Sequence, residues 1–199
     1  MKKAIVVFVI GCMVATGLFA QSDSSKNHKV CLSANELKLF ELLTAYRKEK
    51  GLPYIPLSTS LCYVAQTHAQ DLFVNKPNKN NCNLHSWSSN GKWSACCYTP
   101  DHKQATCMWN KPRELTNYGG DGYEIAFNTV HSDDANYTAT AEEALKGWQQ
   151  SQGHNEVITN KSIWKTTTWK AIGIGIYKGY AVVWFGSDTD AAGVPSGCK

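Results

Sequence analysis

Charge is scarce in this sequence. Asp, Glu, Lys and Arg make up 18% of it and the formal balance is only +4, against roughly 25% charged residues in ordinary soluble domains. That leaves no footing for a general polyanion binder, so nucleic acid is not an expected partner. Internal repeats and low-complexity tracts are missing, which argues against a solenoid and a disordered chain. None of the eight cysteines is spaced C-x-x-C. A zinc ribbon, a thioredoxin-type pair and a c-type haem site therefore lack support. No apolar run follows the N-terminal one, so a multi-pass membrane protein is excluded and no stable span is expected. No Ser-His-Asp or Cys-His order suggests covalent catalysis.

What is present suits one domain: 199 residues, 43% apolar and 11% aromatic, enough for a real core. Lys2 and Lys3 precede an uncharged, mostly apolar run from Ala4 to Ala20, which stops at Gln21-Ser22-Asp23. A basic start, an apolar middle and a small residue at the break describe a secretory signal over residues 1–20, cut after Ala20. The expected location is then secreted or periplasmic. Two alternatives stand beside it: a retained anchor, and a lipoprotein box at Val9-Ile10-Gly11-Cys12 with Cys12 lipidated. Cleavage removes two lysines and no acids, lowering the basic count from 20 to 18 against 16 acids, a balance of +2. Seven cysteines remain. Export favours disulfides, and the odd count leaves at least one thiol outside them. Cys96 and Cys97 are adjacent, and at least one of them is expected to reach Cys107 or Cys82.

Residues 21–32 read as a loose polar lead-in, and residues 33–199 as a single domain. Ser33 with Glu36 forms a capping-box pattern ahead of Leu37, Phe40, Leu43 and Tyr46 at helical spacing. Lys50, Gly51 and Pro53 stop that helix. A second helix begins near Ser58 or Ser60, with Leu61, Val64, Ala65, His68, Ala69, Leu72 and Phe73 as its apolar stripe. Residues 84–122 show no period and read as an ordered, disulfide-tied region with short helical turns. A third helix is expected from Thr138 to about Gln152, ended by Gly153, with a short one over His154 to Ile158. Ile172–Tyr177 and Tyr180–Phe185 flank Lys178-Gly179, a β-hairpin pattern.

Four residues attract attention together: His85, Glu124, Ser151 and His154. Their surroundings are Leu84-His85-Ser86-Trp87, Gly122-Tyr123-Glu124-Ile125 and Trp148-x-x-Ser151-x-Gly153-His154. With Leu42–Arg47, Gly51-Leu52-Pro53, Ile172-Gly173-Ile174-Gly175 and Val183-Trp184-Phe185, these stretches occur in an order and spacing that resembles the CAP superfamily. That superfamily, also called SCP-like, includes cysteine-rich secretory proteins, antigen 5 and plant pathogenesis-related 1 proteins. The likeness spans about residues 33 to 186 and is of the bacterial single-domain type.

The resemblance implies an α+β fold, a three-layer α/β/α sandwich around a short antiparallel sheet. It also implies a cleft of two histidines and usually two acids, able to hold Zn2+ or another divalent ion. His85 and His154 take the histidine positions and Glu124 one acid position. Ser151 stands where the second acid is expected, which weakens the site. Zinc hydrolases usually supply three protein ligands and an open position for water. Glu124 could be a third ligand, a partner that orients an imidazole, or a base near bound water.

Plainer readings accompany each residue: His85 as a hydrogen-bonded histidine without metal, Glu124 as a structural acceptor, Ser151 as the end of a helix. His68 reads as a core or boundary histidine, and His102 and His131 as exposed loop residues. Trp87, Trp93 and Trp109 either line a lipid or glycan groove or fill the core of the cysteine-rich segment. The leading expectation is a secreted binding module for a lipid, glycan or protein ligand. The alternative is a zinc-assisted, peptidase-like hydrolase using His85, His154 and Glu124.

Overall fold

The computed structural model describes Lys26 and residues 28–198. The expected signal segment and Cys12 lie outside the described residues. The chain begins with a two-residue strand β1 (Cys31–Leu32) and helices α1 (Ala34–Glu49) and α2 (Thr59–Asn75). Two short helices follow, α3 (Ala105–Trp109) and α4 (Lys111–Leu115), then strand β2 (Gly122–Asn128). Helices α5 (Ala141–Gln150) and α6 (Gln152–Ile158), a 3-10 turn (Ser162–Trp164), strands β3 (Ala171–Tyr177) and β4 (Tyr180–Gly186), and a short β5 (Ser196–Gly197) complete it.

Local chemistry sets the helix starts. Ser33 accepts from the Glu36 amide while Glu36 reaches back to Ser33, and Thr140 and Glu143 do the same for α5. Each box satisfies two backbone donors that a helix start otherwise leaves unpaired. Helix α1 ends at Glu49, and Gly51 then takes φ 71°, a left-handed conformation that suits glycine. The third helix begins later than its sequence suggests, at Ala141, because the capping box sits at Thr140. It also ends before Gly153. The break falls at Ser151, and Gly153 lies inside α6.

Three strands form an antiparallel sheet in the order β2-β4-β3. The hairpin β3–β4 turns at Lys178, with φ 52°. Strand β2 is a further strand beyond the expected hairpin, paired so that Glu124 faces Trp184 and Ile125 faces Val183. Strand alternation divides the side chains between two faces. Tyr123, Ile125, Phe127, Ile172, Ile174, Val183 and Phe185 pack toward α1, α5 and α6. Glu124, Ala126, Val182, Trp184 and the small residues of β3 face α2. Two apolar clusters thus sandwich one sheet, giving the expected three-layer α/β/α architecture.

Gly173 and Gly175 explain how closely α2 approaches. A Cβ at Gly173 would fall on the backbone of Leu61 and Cys62, and one at Gly175 on that of Ala65 and Gln66. Only glycine lets the helix backbone lie against the strand here.

Three disulfides tie the described chain: Cys31–Cys198, Cys82–Cys97 and Cys96–Cys107. Both members of the adjacent pair Cys96/Cys97 are therefore used. Cys62 is the free thiol among the described residues, buried against β3, and burial pushes it up to about 12. The end of the supposed loose lead-in is pinned: β1 pairs in parallel with β5, and His28 stacks on Tyr63. Among the described residues, no helix is long and apolar enough to cross a membrane.

Candidate functional site

Strand β2 lies at one edge of the sheet, and its Glu124 points to the α2 side. Helix α2 contributes His68 from its apolar stripe, directly opposite. The side chains of His68 and Glu124 are both 0% exposed. His68 Nδ1 donates to Glu124 Oε2, and its Nε2 donates to the Ser86 carbonyl at 2.9 Å. His85 Nδ1 donates to Glu124 Oε1 at 2.7 Å, and its side chain keeps 17% exposure. One buried carboxylate therefore holds two imidazoles, one on each oxygen.

The loop that carries His85 is rigidly built. Trp87 and Cys96 exchange backbone hydrogen bonds of 2.7 and 3.0 Å, and the Asn83 amide donates to the Tyr98 carbonyl at 2.8 Å. The Ser86 hydroxyl accepts from the Tyr98 amide at 2.9 Å. The Trp87 ring stacks on His68 at 4.2 Å. Both short-range disulfides begin or end within this paired segment, at Cys82, Cys96 and Cys97.

The electrostatics follow from burial and pairing. Burial pushes the Glu124 carboxyl up, but His68 and His85 outweigh it and hold it below its ordinary range. The carboxylate then only accepts, as does the Ser86 carbonyl, so both ring nitrogens of His68 face acceptors. His154 enters from α6, with its ring centroid 6.3 Å from that of His85. Burial, reinforced by His85, lowers His154 to about 4. At neutral pH it is an uncharged imidazole with a lone pair to offer.

This arrangement decides between the roles open to Glu124. Its side chain is sealed from solvent and both oxygens serve the histidines, so it is neither a third metal ligand nor a base facing cleft water. It is an anchor that fixes the His85 ring and leaves Nε2 outward. Two histidines whose rings share one tetrahedral zinc have centroids roughly 5 Å apart, so the observed 6.3 Å requires a small closure. Among the described residues no group of three His, Cys, Asp or Glu is placed to hold a metal ion. The described donors do not supply the three protein ligands of a hydrolase centre.

Ser151 joins α5 to α6 and its hydroxyl caps neither helix. It is half-buried and brings no charge to the cleft. Trp87 is 2% exposed and packs edge-on against Trp93 and Trp184. It belongs to the core and lines no groove, because stacking on His68 removes it from solvent. Trp93 and Trp109 stay half-buried. Trp93 donates its Nε1 to the Ser88 carbonyl at 2.9 Å, and Trp109 packs on Tyr123 at 5.6 Å. His102 and His131 are exposed, as expected.

His68 is the site residue that the sequence does not reveal. Its position on an apolar stripe predicts burial correctly. The signal for more was chemical: a buried imidazole needs partners for both nitrogens, and Glu124 is the acid whose family-like segment places it inside.

Comparison with known proteins follows the same lines. A family model described as the cysteine-rich secretory protein family, CAP, matches residues 40–185. No curated protein matches the sequence. Among solved structures, an outer surface protein of Borrelia burgdorferi is similar, with 16% identity over 81% of this chain and 98% of its own and a TM-score of 0.51. An extracellular protein containing an SCP domain from Bacillus anthracis is similar at 18% identity and a TM-score of 0.50. That match covers 77% of this chain but only 40% of the Bacillus protein. Likeness at such identity concerns the fold.

Proposed function

The chain belongs to the cysteine-rich secretory protein (CAP) family, and from that premise we propose that it is an exported binding module whose cleft takes a divalent metal ion, such as zinc, on His85 and His154. The observation that carries this reading is the sealed Glu124, with one histidine on each carboxylate oxygen. A carboxylate that donates its orientation to a ligating imidazole is the usual outer support of a metal site. Withdrawn from the cleft, it provides no base for hydrolysis, and Ser151 cannot replace one. Three disulfides and the basic-apolar N-terminal segment support export. The cleft would supply binding and orientation for a lipid, glycan or protein ligand, with the metal as one of its contacts.

Calorimetric zinc titration of the metal-free, disulfide-intact chain tests this. One ion per chain is expected, weakened at least about tenfold by His85→Ala and by His154→Ala, and also by Glu124→Gln, whose neutral amide still orients the His85 ring but no longer raises its basicity. Affinity unchanged in both histidine variants removes the site. Turnover of a peptide or ester panel that Glu124→Gln abolishes would replace the binding module with a hydrolase.

A further inference from the structure

A cavity of about 380 Å³ lies between the outer face of α2 and the loop that follows His85. This is the size range of small-ligand pockets. Tyr63, Thr67, Gln70 and Val74 line it from the helix, at the i, i+4, i+7, i+11 spacing of a single face. Asn90 and Trp93 close it from the loop.

The polar groups here are held in advance. Asp71, only 2% exposed, accepts from the Ser88 amide at 2.8 Å, the Ser88 hydroxyl at 2.6 Å and the Asn75 amide at 2.7 Å. Asn75 in turn accepts from the Asn90 amide at 3.1 Å. This relay fixes the Asn90 carboxamide through its nitrogen. The bond from Trp93 to Ser88 fixes the indole in the same way. Among the described residues, nothing accepts from or donates to the Thr67 hydroxyl or the Gln70 side-chain amide, which leaves them facing the cavity.

We propose that this cavity binds a neutral saccharide unit, at a site separate from the His85–His154 cleft. Carboxamides and a hydroxyl both donate and accept, as sugar hydroxyls require, and aromatic side chains give amphipathic contact area at low entropic cost. No lining residue is cationic and one is a carboxylate, which disfavours anionic ligands by charge. A lipid chain would cover the Thr67 hydroxyl and the Gln70 amide without pairing them, and each polar group so buried costs about 1–3 kcal/mol.

The test is titration of the full, oxidised chain with N,N′-diacetylchitobiose and with cellobiose, followed by saturation-transfer NMR. Glucuronic acid and a long-chain fatty acid serve as anionic and lipid probes. Saturable binding of a neutral disaccharide is expected. Gln70→Ala and Asn90→Ala should each weaken it about threefold or more, and Trp93→Phe should alter it, whereas His154→Ala should not. Gln70 is exposed, so its variant keeps the fold. Absence of binding to both disaccharides overturns the proposal, as does binding indifferent to Gln70→Ala and Asn90→Ala, or a preference for either control probe. Zinc titration of the same variants reports separately on the cleft, so failure of one site is distinguishable from failure of the other.

Discussion

Replacing Glu124 by Gln and by Ala should give two very different proteins, although both remove the same charge. In Glu124→Gln the amide keeps the carboxylate's shape. Its nitrogen can donate to His68 Nδ1, while its oxygen still accepts from His85 Nδ1. His68 Nε2 keeps its contact with the Ser86 carbonyl at 2.9 Å. Every polar group is paired again, and exchanging a buried ion pair for a neutral one is often close to neutral in stability. The expected cost is within about 1 kcal/mol. In Glu124→Ala, His68 retains an orphaned Nδ1 in a site with 0% side-chain exposure, His85 loses its anchor, and a cavity remains. Removing one partner of a buried pair costs about 3–5 kcal/mol. At roughly 2–4 °C per kcal/mol for a chain of this size, the alanine variant should melt roughly 6–20 °C lower and the glutamine variant no more than a few degrees lower. Metal-free protein with intact disulfides, followed by thermal melts and urea titration, gives the comparison. Equal destabilisation by the two substitutions would refute this account of the network.

Acid should weaken the fold through His154. Its folded value of about 4 lies below the unfolded value of about 6.5, so the native state binds fewer protons between them. Stability is complete above about pH 6.5, declines as pH falls and levels off below about 4. After allowance for solvent at its open side, about 2 kcal/mol should be lost. Urea midpoints at pH 7.5 and 4.5 should differ less in His154→Gln than in the parent, and an equal loss in both would contradict the assignment. Gly173→Ala should cost about 3 kcal/mol because its new Cβ meets the Leu61–Cys62 backbone; a midpoint shift worth under about 0.5 kcal/mol would show that the helix has room to move. Replacing Cys31 and Cys198 together by Ser opens a link across 167 residues, worth up to about 5 kcal/mol in the chain-entropy account, and unchanged melting would rule that contribution out.

Features decided within a few residues were legible in the sequence. Ser33 with Glu36 announces a helix start because both hydrogen bonds close inside one turn, and Lys178-Gly179 announces a hairpin for the same reason. Strand β2 was less legible. Its outer face alternates Tyr123, Ile125 and Phe127, but its inner face reads Gly122, Glu124 and Ala126, which looks like no strand until His68 arrives from another element to pair the acid. Gly153 illustrates the opposite error: a glycine after a helix usually ends it, yet the chain had already broken at Ser151. His85, Glu124 and His154 were found through the resemblance of their surrounding stretches to the CAP superfamily. That Glu124 anchors rather than ligates could be read only once His68 was in place on the other side of it.

The glycines of β3 also bear on how the cleft can move. With strand and helix backbones in direct contact at Gly173 and Gly175, there is no layer of side chains between them whose rotamers could shift. Helix α2 and the sheet should therefore ride as one plate, carrying His68 and Glu124 with them. The other jaw is attached differently. Helix α6, with His154, is tethered to α1 by Arg47, which donates to the Ile158 carbonyl at 2.6 Å and to Asn160 at 2.7 Å. Tyr46 of α1 adds a bond to Asn155 at 3.0 Å, so any breathing that brings His154 toward His85 stretches these side-chain bonds against a fixed plate, and amide exchange in α6 should run ahead of that in α2.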